Sequence, residues 1–421
     1  MNNENTRKLT GVIDLLLESS SRINEAKPRR YWYPLSMASY GIEEIMEALD
    51  SMCSFRTSMW EKTLQFERKF SAYQGCNDAV MVNSGSSADL LLCFMLTNPH
   101  RPLLKPGDEI LVPVVTWPTQ IWSAMMAGLK VRLVDVNPET LNICLDDLES
   151  RITPTTKAIF LVHLMGNPCD MERVQLLAEK HSLLVLEDCC ESLGSEWNGR
   201  RVGNFGVGGT FSFFFSHHIT TMEGGMITCQ DGEAADLCRL LRSHGWVRNI
   251  DAAPYHLSNY DIDPRYAFVN WGFNLRPTEI QAGFGLQQLS KLPAFNQKRA
   301  ELAKKFFSFI ETTSFLSCPK VHASAQPAWF ALPLMLKHDA PFSKNEIANY
   351  FESEGVETRP IVSGNLGKHP VASLFKEFTE NTFPGADTIH QRGFYIGLSP
   401  FQTDDCMDRL FECFHRFLNR Y

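Results

Sequence analysis

The sequence predicts an α/β fold built around a mostly parallel, buried sheet. Three observations carry that prediction. Between about residues 78 and 230, short β-rich apolar runs alternate with stretches of helical spacing, the pattern of βαβ units. Small and polar residues fall just after several of those runs, at the strand ends where such sheets bind ligands. The chain is 421 residues long and 44% hydrophobic, enough to bury a large core in two or three domains.

Taken in order, the runs are Ala79–Asn83, Glu109–Pro113, Lys130–Val136, Lys157–His163, Ser182–Glu187 and Thr210–Phe215. Residues 277–312 read as one long helix, because Ile280, Phe284, Leu286 and Leu289 recur at roughly helical spacing and Pro277 suits a helix start. Beyond it, a strand-like segment (Trp329–Leu336) and helical ones (Ser343–Glu354, Thr403–Tyr421) suggest a smaller C-terminal α/β domain. The expected division is 1–290 for the large domain and 291–421 for the small one. The first 30 residues carry a weak helical signal, and no internal repeat or low-complexity segment is present.

Forty Lys and Arg against 48 Asp and Glu give a net charge of −8, which offers no general attraction to nucleic acid or to an anionic membrane. A phosphate-bearing ligand must therefore be held by local groups. The twelve cysteines are scattered, and several lie in apolar stretches (Cys93, Cys144, Cys229). With a polar start, Met1–Asn5, and no signal peptide, a reducing cytoplasm is the expected compartment. No segment approaches the roughly 20 apolar residues that span a bilayer.

The candidate site residues follow the runs. Asn83-Ser84-Gly85-Ser86-Ser87-Ala88 ends a strand and opens a helix; small residues there let backbone N–H groups approach a phosphate, although a Ser/Gly cap commonly does no more than cap. Trp117, after the second run, could stack on a planar aromatic ring or simply fill the core. Asp188 closes an apolar run, where a carboxylate could bond a protonated pyridine nitrogen or merely end a strand in solvent. Phe211-Ser212-Phe213-Phe214-Phe215-Ser216-His217-His218 leads into Glu223-Gly224-Gly225. The two adjacent histidines do not make a metal site, because neighbouring side chains diverge and no i,i+4 partner is present.

In this order and spacing, these segments resemble the DegT/DnrJ family of sugar-nucleotide aminotransferases and dehydratases, fold type I of the pyridoxal-phosphate (PLP) enzymes. The likeness runs from about Gly41 to Pro400 and includes Phe66-Glu67, Asp135-Val136-Asn137, His163-Leu164-Met165-Gly166 and Gly272-Phe273-Asn274-Leu275-Arg276-Pro277. It implies a large domain with a seven-stranded type of sheet. Gly85 and Ser86 would offer amides to the cofactor phosphate and Ser212 its hydroxyl, Trp117 would stack on the ring, and Asp188 would pair with its nitrogen. The asparagine matching Asn274 reaches the phosphate from a partner subunit in the family, which implies a homodimer with shared sites. Tyr31–Leu35 and Arg359–Asn365 resemble segments lining the sugar and cofactor cleft.

One position departs from the aminotransferases. Where they carry the lysine that anchors the cofactor, this chain has His217, which cannot form that bond but can exchange protons near neutral pH. Histidine there resembles the 3-dehydratases of deoxysugar biosynthesis, and Arg248 matches a second active-site residue of that branch. The resemblance implies a PLP/PMP-dependent loss of the 3-hydroxyl from a nucleotide-linked 4-keto-6-deoxyhexose. The products would be a 4-keto-3,6-dideoxysugar and ammonia, with glutamate restoring the amino form of the cofactor (PMP). A related branch uses an iron–sulfur cluster and a reductase, with a Cys-x-Cys pair about 58 residues after a first cysteine. Here Val247 stands 58 residues after Cys189 and no Cys-x-Cys occurs, so no reductase is expected. Two alternatives stay open: an aminotransferase with its lysine elsewhere, opposed by the absence of any lysine between Lys180 and Lys291, and a non-catalytic dimer of the same fold.

Overall fold

The computed structural model describes residues 10–16, 18 and 30–421; the polar start Met1–Asn5 lies outside them. Residues 10–16 and 18 are helical, and two helices, α1 (Ile42–Cys53) and α2 (Glu61–Gln74), lead into the large domain. There follow β1 (Asp78–Val82), α3 (Gly85–Leu96), β2 (Glu109–Pro113), α4 (Thr119–Met126), β3 (Lys130–Val134), α5 (Leu145–Arg151), β4 (Thr156–Val162), α6 (Met171–His181), β5 (Leu184–Asp188), β6 (Gly208–Ser212), β7 (Gly225–Cys229) and α7 (Gly232–Arg242). The seven strands form one sheet in the order β1-β7-β6-β5-β4-β2-β3. Strands β2 to β6 pair in parallel, and β7 is antiparallel to both neighbours.

All six apolar runs read from the sequence are strands of this sheet. The seventh, β7, was not among them. It is short and begins at Gly225, so neither length nor branching marks it, yet all five of its residues are buried.

The helices start where side chains satisfy their first amides. Asp170 accepts the Arg173 N–H at the start of α6, and Asp231 accepts that of Ala234 at the start of α7. Beneath β1, Arg242 and Glu67 form a fully buried ion pair at 2.6 Å, and Glu67 also accepts the Met81 N–H. The Phe66-Glu67 segment is thereby fixed against the sheet.

The long helix α8 runs from Glu279 to Glu311, with Thr278 and Gln281 in a reciprocal capping box. Its first half buries Ala282, Leu289 and Leu292 in the large-domain core beside β1 and β6. Its second half buries Leu302, Phe306 and Ile310 in a separate core. That second core belongs to an antiparallel sheet, β8 (Leu316–Ser317), β9 (Ala331–Leu336), β10 (Thr358–Pro360) and β11 (Gly393–Gly397), in the order β8-β9-β11-β10. It is covered by α9 (Lys344–Ser353) and α10 (Asp404–Leu418). The division expected at residue 290 thus falls inside a continuous helix shared by both cores. The N-terminal segment is also distributed otherwise than 1–290 implies: Tyr33 is buried in the small-domain core, and Trp32 N–H donates to Gly355 O at 2.9 Å.

Candidate active site

Strand register assembles the site. Val82 of β1 and Ser212 of β6 both pair with Gly225 of β7, so the three lie in one row at the sheet edge. The turn after β1 therefore falls beside Ser212. A Cβ built on Gly85 would stand 2.6 Å from Ser212 Cβ, and one on Gly225 would stand 2.3 Å from Ser84 O, so neither position admits a side chain without movement.

Ser84 caps α3 by accepting the Ser87 N–H. The amides of Gly85 and Ser86, in the first turn, have no carbonyl behind them and sit at the positive end of the helix. Ser212 Oγ accepts the Phe214 N–H at 3.3 Å, which leaves its hydroxyl proton to donate. Together these groups form an anion cradle. Substituting G85A is expected to weaken PLP binding at least about tenfold, or about 1.4 kcal/mol, in an absorbance titration.

Asp188 ends β5, buried, with its Oδ1 accepting the Cys190 N–H at 2.8 Å. Burial pushes its carboxyl up to about 6, against the opposing pull of that amide. Behind it, Asp89 accepts the Thr210 hydroxyl at 2.6 Å and is raised well above the carboxylate range by burial and then by Asp188. A cationic ring nitrogen would offset the cost of keeping Asp188 ionised here. Trp117 is 62% exposed after β2, which leaves its indole face open to a ligand and removes the core-filling alternative.

Cradle, carboxylate and indole fit a phosphorylated pyridine: amides and a hydroxyl for the phosphate, an acid for the nitrogen and an aromatic plane for the ring.

His217 lies five residues beyond Ser212, half-buried, between Phe214 on its own segment and Phe330 ahead of β9, with ring centroids 6.0 and 5.3 Å away. Among the described residues its buried Nδ1 has no partner, and no hydrogen bond occupies Nε2. Desolvation, and secondarily the charge of Arg299, pull its pKa down to about 4, so the ring is neutral at pH 7. His218 is buried and bonds Ala328 O at 2.9 Å.

Sequence reasoning left Glu191 without a role. Its carboxyl accepts the Met165 N–H, and burial raises it to about 7, with Asp188 adding to the rise. Its only sequence signal is its position three residues after Asp188. Nearby, His163, Glu187 and Cys189 offer ligand atoms within 4.8 Å of one another, but their contacts are already made. His163 Nδ1 accepts the Cys169 N–H, which leaves Nε2–H to face Glu187 at 3.1 Å, while Glu187 takes three further backbone amides. This cluster stiffens the end of β5.

Arg248 and Asn274 are not brought to the cradle of their own chain. Both are exposed and line a separate cleft of about 580 Å³ with Ser58, Trp60 and Arg276. Arg248 lies over the Trp246 ring at 5.2 Å, and Asn274 accepts from Arg276 Nε at 2.9 Å. Of the two segments expected along the cleft, Tyr31–Leu35 packs against the small domain, where Arg409 covers the Trp32 ring at 4.0 Å. The other reaches the site: Ser363 Oγ donates to Thr116 O at 2.8 Å, next to Trp117.

The sequence and the fold resemble those of known proteins. A GDP-4-keto-6-deoxy-D-mannose 3-dehydratase of Yersinia pseudotuberculosis is 36% identical over 383 residues, covering 90% of this chain and 97% of that protein. Among solved structures, a mutant GDP-4-keto-6-deoxymannose-3-dehydratase with bound GDP-perosamine matches at a TM-score of 0.85 and 33% identity, over 90% of this chain and 99% of the other. A structure of GDP-4-keto-6-deoxymannose-3-dehydratase in which PLP and glutamate are trapped as a geminal diamine matches at 0.83 and 33%, with the same coverage. The model of the DegT/DnrJ/EryC1/StrS aminotransferases matches residues 39–415. On that match and those relatives, the chain belongs to the DegT/DnrJ/EryC1/StrS aminotransferase family.

Proposed function

We propose that this chain is a PLP/PMP-dependent 3-dehydratase of a nucleotide-linked 4-keto-6-deoxyhexose, with glutamate as amino donor. The observation that carries the reading is His217. A neutral imidazole, its Nδ1 without a partner among the described residues, stands on the segment that follows Ser212, where the family's aminotransferases anchor the cofactor through lysine. The GDP-linked substrate named for the relatives is the first to test.

PLP, when bound, supplies an electron sink and, in its amino form, the amine that joins a ketone. The chain's own residues do the rest. Gly85 and Ser86 amides and the Ser212 hydroxyl hold the phosphate, Asp188 keeps a proton on the ring nitrogen, and Trp117 fixes the ring plane. His217 Nε2 takes a proton from carbon and returns one to the departing 3-hydroxyl. An imidazole whose conjugate acid is as strong as this one's gives its proton up readily, which suits it to the second task.

Arg248 and Asn274 act from the partner subunit of a homodimer. Exposed Trp60 lines their cleft, and Tyr266 and Phe268, also exposed, stack on Trp246 in its wall, an apolar surface suited to a second copy. All twelve cysteines are free, in keeping with a reducing cytoplasm, and none forms the Cys-x-Cys pair of the reductase-dependent branch. No described helix is long and apolar enough to cross a membrane.

The test incubates the protein with PLP, glutamate and GDP-4-keto-6-deoxymannose, without reductase. Ammonia and a 4-keto-3,6-dideoxysugar are the expected products. An amino sugar would return the chain to the aminotransferases, and failure to bind PLP or PMP would favour a non-catalytic role.

A further inference from the structure

Arg299, on α8, is 4% exposed, yet among the described residues no carboxylate pairs with it. Its guanidinium donates to Phe330 O at 3.2 Å and Leu398 O at 2.8 Å, and its Nε has no partner. A buried charge held only by carbonyls is costly, because their dipoles replace the hydration of an ion incompletely. Such a residue needs a reason to remain charged.

The reason lies one residue thick on the other side. Ala328–Phe330, the lead into β9, is gripped by Arg299 through the Phe330 carbonyl. From that same segment the Phe330 ring meets His217 at 5.3 Å and His218 at 6.2 Å, and Ala328 O bonds His218 Nε2. The guanidinium therefore stands behind both imidazoles across a thin apolar layer. On its other side the His217 ring meets Phe214, and His218 follows it in the chain; the acids at the end of β5, Asp188 and Glu191, accept the Cys190 and Met165 amides, and neither bonds the ring.

We propose that Arg299 is a positioning residue that keeps His217 neutral, acting through its charge and not only through the carbonyls it holds. Protonation of either imidazole places a second positive charge in the same poorly solvated volume, and the permanent one prevails because a guanidinium does not give up its proton near neutral pH. The proposal rests on His217 as the proton-transfer group, but its test does not: it is read in the cofactor-free protein, while activity of a His217 variant tests that reading separately.

The protein is prepared with ¹⁵N-labelled histidine rings, and the resonance of His217 is identified among the twelve by its loss in H217N. The wild-type ring is expected to titrate at least about 1.5 pH units below the ordinary value of about 6.5. R299Q should raise that midpoint by about one unit or more, and R299K should leave it within about 0.3. The acid limb of kcat should move the same way. Three results would overturn the proposal: a wild-type midpoint at or above about 6.5, an R299Q midpoint equal to wild type, or equal rises in R299Q and R299K, which would trace the effect to the guanidinium hydrogen bonds. If R299Q does not fold, R299M replaces it, and the wild-type midpoint needs no variant.

Discussion

Replacing His217 with asparagine is expected to lower kcat for dehydration by about 10² to 10⁴, the range that a positioned acid or base supplies, or about 3 to 5 kcal/mol of barrier. PLP affinity should stay within a few-fold of wild type, because on the proposed reading Gly85, Ser86, Ser212, Asp188 and Trp117 would hold the phosphate, nitrogen and ring face, and H217N alters none of them. The companion H217K restores an amine at this position. After borohydride reduction, peptide mapping of H217K should find the cofactor on residue 217, whereas wild type should carry none on any lysine. Covalent cofactor in reduced wild type would sink the untethered mechanism, and an H217N variant with near-normal turnover would remove His217 from the chemistry.

The direction of the His217 shift explains why a weak base suits this site. Its pKa lies near 4, below the ordinary value, so the unprotonated form predominates at every pH above that and no fraction of the enzyme waits in the wrong state at pH 7. The opposite shift occurs at the end of β5, where burial raises Asp188 to about 6 and Glu191 to about 7. The site therefore separates a neutral imidazole from two carboxyls that accept protons near neutrality, and a ligand bearing a cationic nitrogen would draw the ionised form of Asp188.

Much of this was legible before the fold was known, for identifiable reasons. Asn83 and Asp188 close apolar runs and so mark strand ends, and residues at strand ends of a parallel sheet converge on its ligand edge, whereas Ser212 falls inside the run Thr210–Phe215 and becomes a strand end only in the fold. Trp117 shows the limit: its residue type alone favours the core, and only the exposed turn after β2 leaves it free. Arg299 was illegible for the converse reason. In Gln297-Lys298-Arg299-Ala300 it looks like one more solvated base on a helix, and its burial depends on β9 and β11 closing over that turn. Strand β10 contains exposed Arg359 and Pro360, and β11 starts at Gly393, so neither shows a period that local patterning could detect.

Mixed dimers offer the sharpest test of how Arg248 and Asn274 enter the reaction. Each is exposed in a cleft apart from the Gly85–Ser212 cradle, with no hydrogen bond to it within the chain. If each site joins the His217 of one subunit to the Arg248 of the other, H217N and R248A homodimers are both defective. A heterodimer of the two then concentrates both lesions in one site and leaves the other intact. Random assortment gives half heterodimers with one good site of two, so co-expressed, differently tagged chains should recover about a quarter of wild-type activity. Purification through both tags should raise that to about half. If Arg248 instead serves its own chain, no intact site can form, and the mixture will show only the average of the two defective parents.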